Sequence, residues 1–441
     1  MKISEPKETL KRTIGIWGLS ANIINSVLGA GIFVIPAIVA AGLGSASIFA
    51  YLFCGLLVAL VMLCFAEVGS KITHPGGAYA YIEESFGKAA GFVTAVLFVI
   101  SANSGDAAVA NALVDIIGSF FPLFQNKAVK ILFFFLLFSG LAYINIRGVK
   151  EGIRFVMTIT LMKVIPLLAI VFIGFKDIDI MNLYWEQIPS IKELGEISLI
   201  LFFAFQGAEA GLSISGEVKN PQKTVPRAIF ISILGVLTLY ILLQTVSQGV
   251  LGSSLATFKE NPLGEVAKYI FGPVGLTLIT IGAGVSMFGL LSSDIFSLPR
   301  VLYSAAQDKV IPIEKLASVH KKFVTPYIAI IVYAVVGFLF ATSGSFRQLA
   351  ILSSSATLTV YLGVALAVIK LRWNKTGDSG NETFKIPGGY TVPVLAVFII
   401  LYFLSNLAKN EMITSAISIV VLLLVFFIIQ FFGSKKRKTR S

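Results

Sequence analysis

Four ionisable side chains fall inside long apolar runs of this sequence: Asp106, Lys163, Glu209 and Asp294. Placing one such group at mid-bilayer costs roughly 2.5–3.5 kcal/mol, so the set costs on the order of 10 kcal/mol. That is comparable with the whole stability of many proteins, and packing alone seldom sustains it. Intramembrane carboxyls and an ammonium instead mark a solute site, an ion path or a proton relay. The plainer reading for each carboxyl is a neutral, hydrogen-bonded acid or an internal ion pair; Ser292 and Ser293 stand beside Asp294 and could satisfy it. Lys163 lies about twelve residues from either end of its run, roughly 18 Å along a helix. Its stem cannot carry the ammonium out to water over that distance, so it is placed to exchange a proton within the span.

A second kind of chemistry resides in the backbone. The first apolar run contains Ser26-Val27-Leu28-Gly29-Ala30-Gly31-Ile32-Phe33, and the sixth contains Gln206-Gly207-Ala208-Glu209-Ala210-Gly211. Small residues in a row allow close helix packing in membranes. They also let a helix stop and restart. Lipid forbids unpaired N–H and C=O groups, so such a break survives only against protein or a wet cavity. The restarted half-helix turns free N–H groups toward an anion. Two breaks with opposed dipole ends can hold both charged ends of a zwitterion.

The elements that position these groups follow from composition. Hydrophobic residues make up 56% of the 441 and charged residues 13%, with a mean hydropathy of +0.88, whereas a soluble domain carries about 25% charged residues. Runs long enough to span a bilayer occur at approximately 14–42, 46–70, 88–120, 128–146, 151–175, 196–218, 226–251, 272–303, 325–343, 346–371, 390–407 and 412–432. The spacing predicts an all-α integral membrane protein of twelve transmembrane helices with no separate soluble domain. The first run is too long, and too closely followed by another, for a cleaved signal peptide. Interruptions in corresponding places of two halves point to an inverted-repeat transporter with its site between the repeats. Residues 14–175 would form the first repeat, 196–371 the second and 390–432 two peripheral helices, flanked by a 1–13 arm and a 433–441 basic tail.

The net charge of +12 reflects membrane orientation rather than nucleic acid. Most Lys and Arg fall on the segments that share a side with the N-terminus, which the positive-inside rule makes cytoplasmic. Both termini are therefore expected in the cytoplasm, with Lys435, Lys436, Arg437 and Lys438 beside anionic lipid. Glu67 and Glu217 end the second and sixth spans near water, where structural roles are expected, with Arg147 and Arg154 as candidate cationic partners. Cys54 and Cys64 read as small buried hydrophobes. His74 and His320 lack metal-ligand companions at suitable spacing, and no phosphate-cradling Gly-x-x-x-x-Gly-Lys occurs. No cofactor, metal or catalysis is expected, and a gradient is the expected energy source.

In order and spacing, the motifs Gly29-Ala30-Gly31-Ile32-Phe33, Pro75-Gly76-Gly77-Ala78-Tyr79, Asn145 to Lys150, Glu217-Val218-Lys219-Asn220-Pro221 with Pro226, and Pro299-Arg300-Val301-Leu302-Tyr303 resemble the amino acid–polyamine–organocation superfamily along essentially the whole chain. The resemblance implies a five-plus-five inverted-repeat (LeuT-type) fold with discontinuous helices 1 and 6, and secondary transport of amino acids or related amines. By carry-over, Ser26, Gly29, Ala30, Gly31 and Ile32 would contact an α-carboxylate, and carbonyls near Phe203, Gln206 and Ala208, around Gly207, would take the α-ammonium. The span from Phe203 to Glu209 looks like the bacterial arginine/agmatine antiporters, where the positions matching Phe203 and Glu209 are an aromatic gate and an acidic gating residue. Two departures stand out. Asp106 replaces an asparagine, which would favour a cationic side chain or provide a proton site, and Asp294 replaces an aromatic gate. Lys163 resembles the lysine that occupies the place of sodium in sodium-independent members, which implies proton coupling or substrate exchange. The expected solutes are cationic or polar amino acids, then small neutral amino acids, then polyamines. A transporter-like sensor without flux is the reading of another class, and the oligomeric state is left open.

Overall fold

The computed structural model describes residues 14–72, 77–148, 153–185, 188–211, 218–311, 313–374 and 384–438. The N-terminal arm, His74, Pro75, Gly76, Lys150, Glu217 and Pro312 lie outside the described residues, as does the side chain of Arg154. The described chain is helical apart from an isolated bridge of Ile14 with Val218.

Helix α1 (Ile16–Val27) stops where the first small-residue cluster begins, and α2 (Gly31–Leu43) restarts from it. After α3 (Ser47–Lys71), the short α4 (Ala78–Phe86) leads into the 33-residue α5 (Lys88–Phe120). Then follow α6 (Lys127–Ile146) and α7 (Ile153–Gly174). The second half opens with α8 (Ile191–Leu201), fixed at its start by a capping box in which Ser190 and Glu193 bond each other's backbone. A 3₁₀ turn, Phe202–Phe205, ends that helix, and α9 (Ala208–Gly211) restarts after Gln206 and Gly207. The remaining helices are α10 (Pro221–Leu251), α11 (Pro262–Phe271), α12 (Pro273–Ser297), α13 (Pro299–Gln307), α14 (Tyr327–Ser343), α15 (Phe346–Trp373), α16 (Thr391–Ser405) and α17 (Lys409–Lys438). Proline at the first position of α10 through α13 suits a site whose N–H would be unsatisfied in any case.

Among the described residues, seven helical stretches are long and apolar enough to cross a bilayer, and α14 and α16 are shorter apolar helices. The outer faces carry Leu132, Phe135 and Leu136 on α6, Leu278, Ile281 and Val285 on α12, and Ile417, Val420 and Leu424 on α17. Exposed apolar surface on so many helices is what lipid contact requires. Inside, α5 packs against α15, α12 and α14, while α10 packs against α1 and α3. Small polar residues form the α5–α15 seam: Ser353 donates to the Ser101 carbonyl at 2.9 Å, and the Ser101 and Thr357 hydroxyls bond each other.

The charged group at the C-terminal end of α3 pairs differently from the sequence-based expectation. Glu67, only 1% exposed, takes Arg372 of α15 on both carboxylate oxygens and Lys71 at 3.2 Å. Its Oε2 also accepts the Ile386 amide at 2.9 Å, and Arg372 in turn donates to the Gly389 and Ile386 carbonyls. Arg147 instead lies over the Tyr143 ring, 4.6 Å from its centroid. Beside this clamp, Tyr79 of α4 donates to Asp308 at 2.8 Å. Burial, with the Asp308 carboxylate next to it, raises the Tyr79 phenol above its ordinary range and keeps it a donor.

Candidate functional site

The two interrupted helices meet. Beyond α1, the Gly29 amide turns back to the Val27 carbonyl at 2.8 Å, and Phe33 and Val34 both bond the Ala30 carbonyl. Among the described residues, no backbone carbonyl accepts the amides of Ala30, Gly31 or Ile32, so α2 begins with the free N–H groups of a helix start. Glycine is required here by proximity: a Cβ on Gly31 would stand 2.6 Å from the Ala204 Cα, within the other broken helix. Gly207 is more constrained still. Its φ is +99°, and an added Cβ would lie 2.4 Å from the Ser26 carbonyl oxygen. The breaks thus approach at backbone distance, and Tyr240 of α10 ties them by donating to the Ala204 carbonyl at 2.9 Å and the Val27 carbonyl at 3.3 Å.

A cavity of about 90 Å³ opens between these breaks and α5, α12 and α15. Of the residues singled out in the sequence, Ser26, Gly29, Ala30, Gly31, Asp106, Phe203, Gln206, Gly207, Glu209 and Asp294 line it. Ile32 and Ala208 do not; both are buried, and Ala208 borders a separate crevice among α1, α3 and α10. Lys163 stands behind the wall, 7% exposed, and donates to the Leu28 carbonyl at 3.3 Å. It thereby satisfies a carbonyl that the end of α1 leaves without a helical partner.

The polar groups of the cavity are held by partners on several helices. The Gln206 carboxamide accepts from Ser353 at 2.8 Å and Thr357 at 3.2 Å, and donates to Ser354 at 3.0 Å. Glu209 accepts the Gly207 amide at 3.2 Å and the Tyr361 hydroxyl of α15. Asp106, 2% exposed, accepts the Tyr333 hydroxyl of α14 at 2.8 Å. Its carboxyl also lies within hydrogen-bond reach of that of Asp294, a contact made across from α5 to α12. Phe203 closes one side, its ring edge-on to Phe346. Chemically the cavity offers free amides at one end, a braced carboxylate and carboxamide beside the other break, and a carboxyl pair on its side wall.

Sequence reasoning passed over Phe98, Ser101, Ala102, Gly105, Leu290, Leu298 and Ser353, which also line the cavity. It also passed over the tyrosines that brace it. The run Ser353-Ser354-Ser355-Ala356-Thr357 in an apolar span was a usable signal, since hydroxyls in membrane helices bond across to neighbours. Tyr240, Tyr333 and Tyr361 gave none, because a tyrosine among leucines reads as core.

Apolar outer faces, paired helix breaks and an internal polar cavity define a multi-pass membrane transporter. The match of residues 14–440 to the family model described as "Amino acid permease" identifies the lineage. The chain belongs to the amino acid permease family. It is 30% identical to the serine/threonine exchanger SteT of Bacillus subtilis (strain 168), over 97% of this chain and 98% of that protein. It is 29% identical to the methylthioribose transporter of the same organism, over 96% and 94%, and 30% identical to an arginine/ornithine antiporter of Pseudomonas aeruginosa, over 67% and 64%. These relatives are transporters and exchangers, not enzymes.

Proposed function

We propose that this protein is a sodium-independent secondary transporter of amino acids, working by alternating access through proton symport or exchange. The observation that carries this reading is the pair of broken helices facing each other across one cavity. Unpaired N–H groups at the start of α2 suit an α-carboxylate, and the main chain around Phe203, Gln206 and Ala208 suits an α-ammonium. Matching breaks in spans one and six, within a family of permeases, support the five-plus-five repeat with α1/α2 and α8/α9 as its discontinuous helices. Lys163 supports independence from sodium, because its ammonium already serves the Leu28 carbonyl at the break.

The solute is a polar amino acid. Asp106, Asp294 and Glu209 favour hydroxyl or ammonium groups over apolar side chains, and the serine/threonine exchanger among the relatives agrees with the hydroxyl. A cationic amino acid is the second reading, favoured by the two carboxyls on one wall. The protein would sit in the cell membrane with both termini in the cytoplasm, binding one small amine-bearing solute. Counterflow of radiolabelled amino acids into proteoliposomes tests this directly. Serine, threonine or a cationic amino acid should exchange without sodium, and binding without flux would make the protein a sensor. The Lys163→Ala variant should remain folded in the membrane and lose coupled transport; wild-type flux and pH dependence in that variant would refute the coupling role.

A further inference from the structure

Resting on the transporter reading above, we infer that the Asp106–Asp294 carboxyl pair is a proton-binding site, which holds one proton between two side chains and releases it when the cavity opens. Asp106 and Asp294 line the same cavity wall within reach of each other, and because two carboxylates are acceptors only, a hydrogen bond between them requires a proton on one partner. The groups facing the pair fix how many protons it holds. Tyr333 of α14 supplies a neutral donor to Asp106 at 2.8 Å, and Lys163 of α7 supplies one ammonium on the Asp294 side. Glu209 of α9 also faces Asp294, but the Gly207 amide and the Tyr361 hydroxyl of α15 occupy its carboxylate. One shared proton leaves the pair itself with a single negative charge against the single positive charge of Lys163, while Glu209 keeps its own charge on the two donors that hold it. Loss of that proton leaves an unbalanced anion, which is sustained only once water reaches the wall. The step breaks one O–H bond and passes the proton to water; no other bond changes.

The test is infrared difference spectroscopy on the purified full-length protein, titrated from acid to alkaline buffer in H₂O and D₂O. The wild type should show one protonated-carboxyl C=O band that shifts on deuteration. That band should vanish in both Asp106→Asn and Asp294→Asn, because the remaining carboxylate then balances Lys163 without a proton, and persist in Glu209→Gln. A band that survives either Asp substitution, or that is lost only with Glu209, overturns the assignment. Should the Asn variants fail to fold, Tyr333→Phe keeps both carboxyls and removes only the donor to Asp106. The pH midpoint of the band should shift in that variant, and an unmoved midpoint overturns the pair. Counterflow in a wild type that shows no such band rejects the proton site alone, whereas the band without counterflow of any amino acid rejects the transporter reading.

Discussion

Glu67 shows how a buried charge can do structural service in a transporter. Its carboxylate holds Arg372, Lys71 and the Ile386 amide together, fastening the chain that follows α15 to the end of α3. Removing one partner of a buried pair leaves the other charge unbalanced, at a cost of about 3 kcal/mol or more. Glu67→Gln should therefore lower the melting temperature of the detergent-purified protein by several degrees, while the exposed pair Lys192–Glu196 should be removable without measurable change. Equal melting temperatures for Glu67→Gln and wild type would show that the clamp carries no load. Its partner was not legible in the sequence, because Arg372 lies 305 residues away and nothing in local spacing selects it over Arg147. The four intramembrane charges were legible for the opposite reason: a charge in an apolar run is conspicuous without any knowledge of its neighbours.

At the scale of elements, the breaks were readable because small residues cluster there against apolar surroundings, and the structure puts both interruptions at those clusters. What sequence could not supply is how closely they approach. A Gly207→Ala substitution must strain a left-handed φ and push the Ser26 carbonyl away, costing about 1 kcal/mol for the backbone conformation alone. Its effect should fall mainly on solute affinity, at least tenfold in counterflow half-saturation, with the melting temperature changed by only a few degrees. Loss of thermal stability with unchanged affinity would mean that the approach of the two helices is structural only. The tyrosine braces stayed hidden because their function depends on which carbonyls the breaks leave free, a property of the assembled bundle. Ile32 and Ala208 illustrate what a motif leaves open: they belong to the right segments, but both are buried outside the cavity lining, which leaves the main chain as their means of serving it.

Across the whole molecule, the apolar belt and the uneven spread of Lys and Arg carry the proposed orientation, in which the positive-inside rule puts the Lys- and Arg-rich connections in the cytoplasm. An epitope placed after Ser441 should resist protease in right-side-out vesicles and be cleaved in inverted ones; the reverse pattern would invert the orientation proposed here. Composition and run length made the membrane class readable at once. The order of packing, with α5 against α15 and α10 against α1, was not, since lipid-facing and buried apolar faces look alike in a chain this hydrophobic. The sequence has only two cysteines, and both thiols are fully enclosed within α3, Cys54 against the Ser198 carbonyl. A maleimide or thiol-directed spin label added to the folded protein therefore meets no native thiol at the surface, and each engineered reporter speaks for its own position, on the unaltered background.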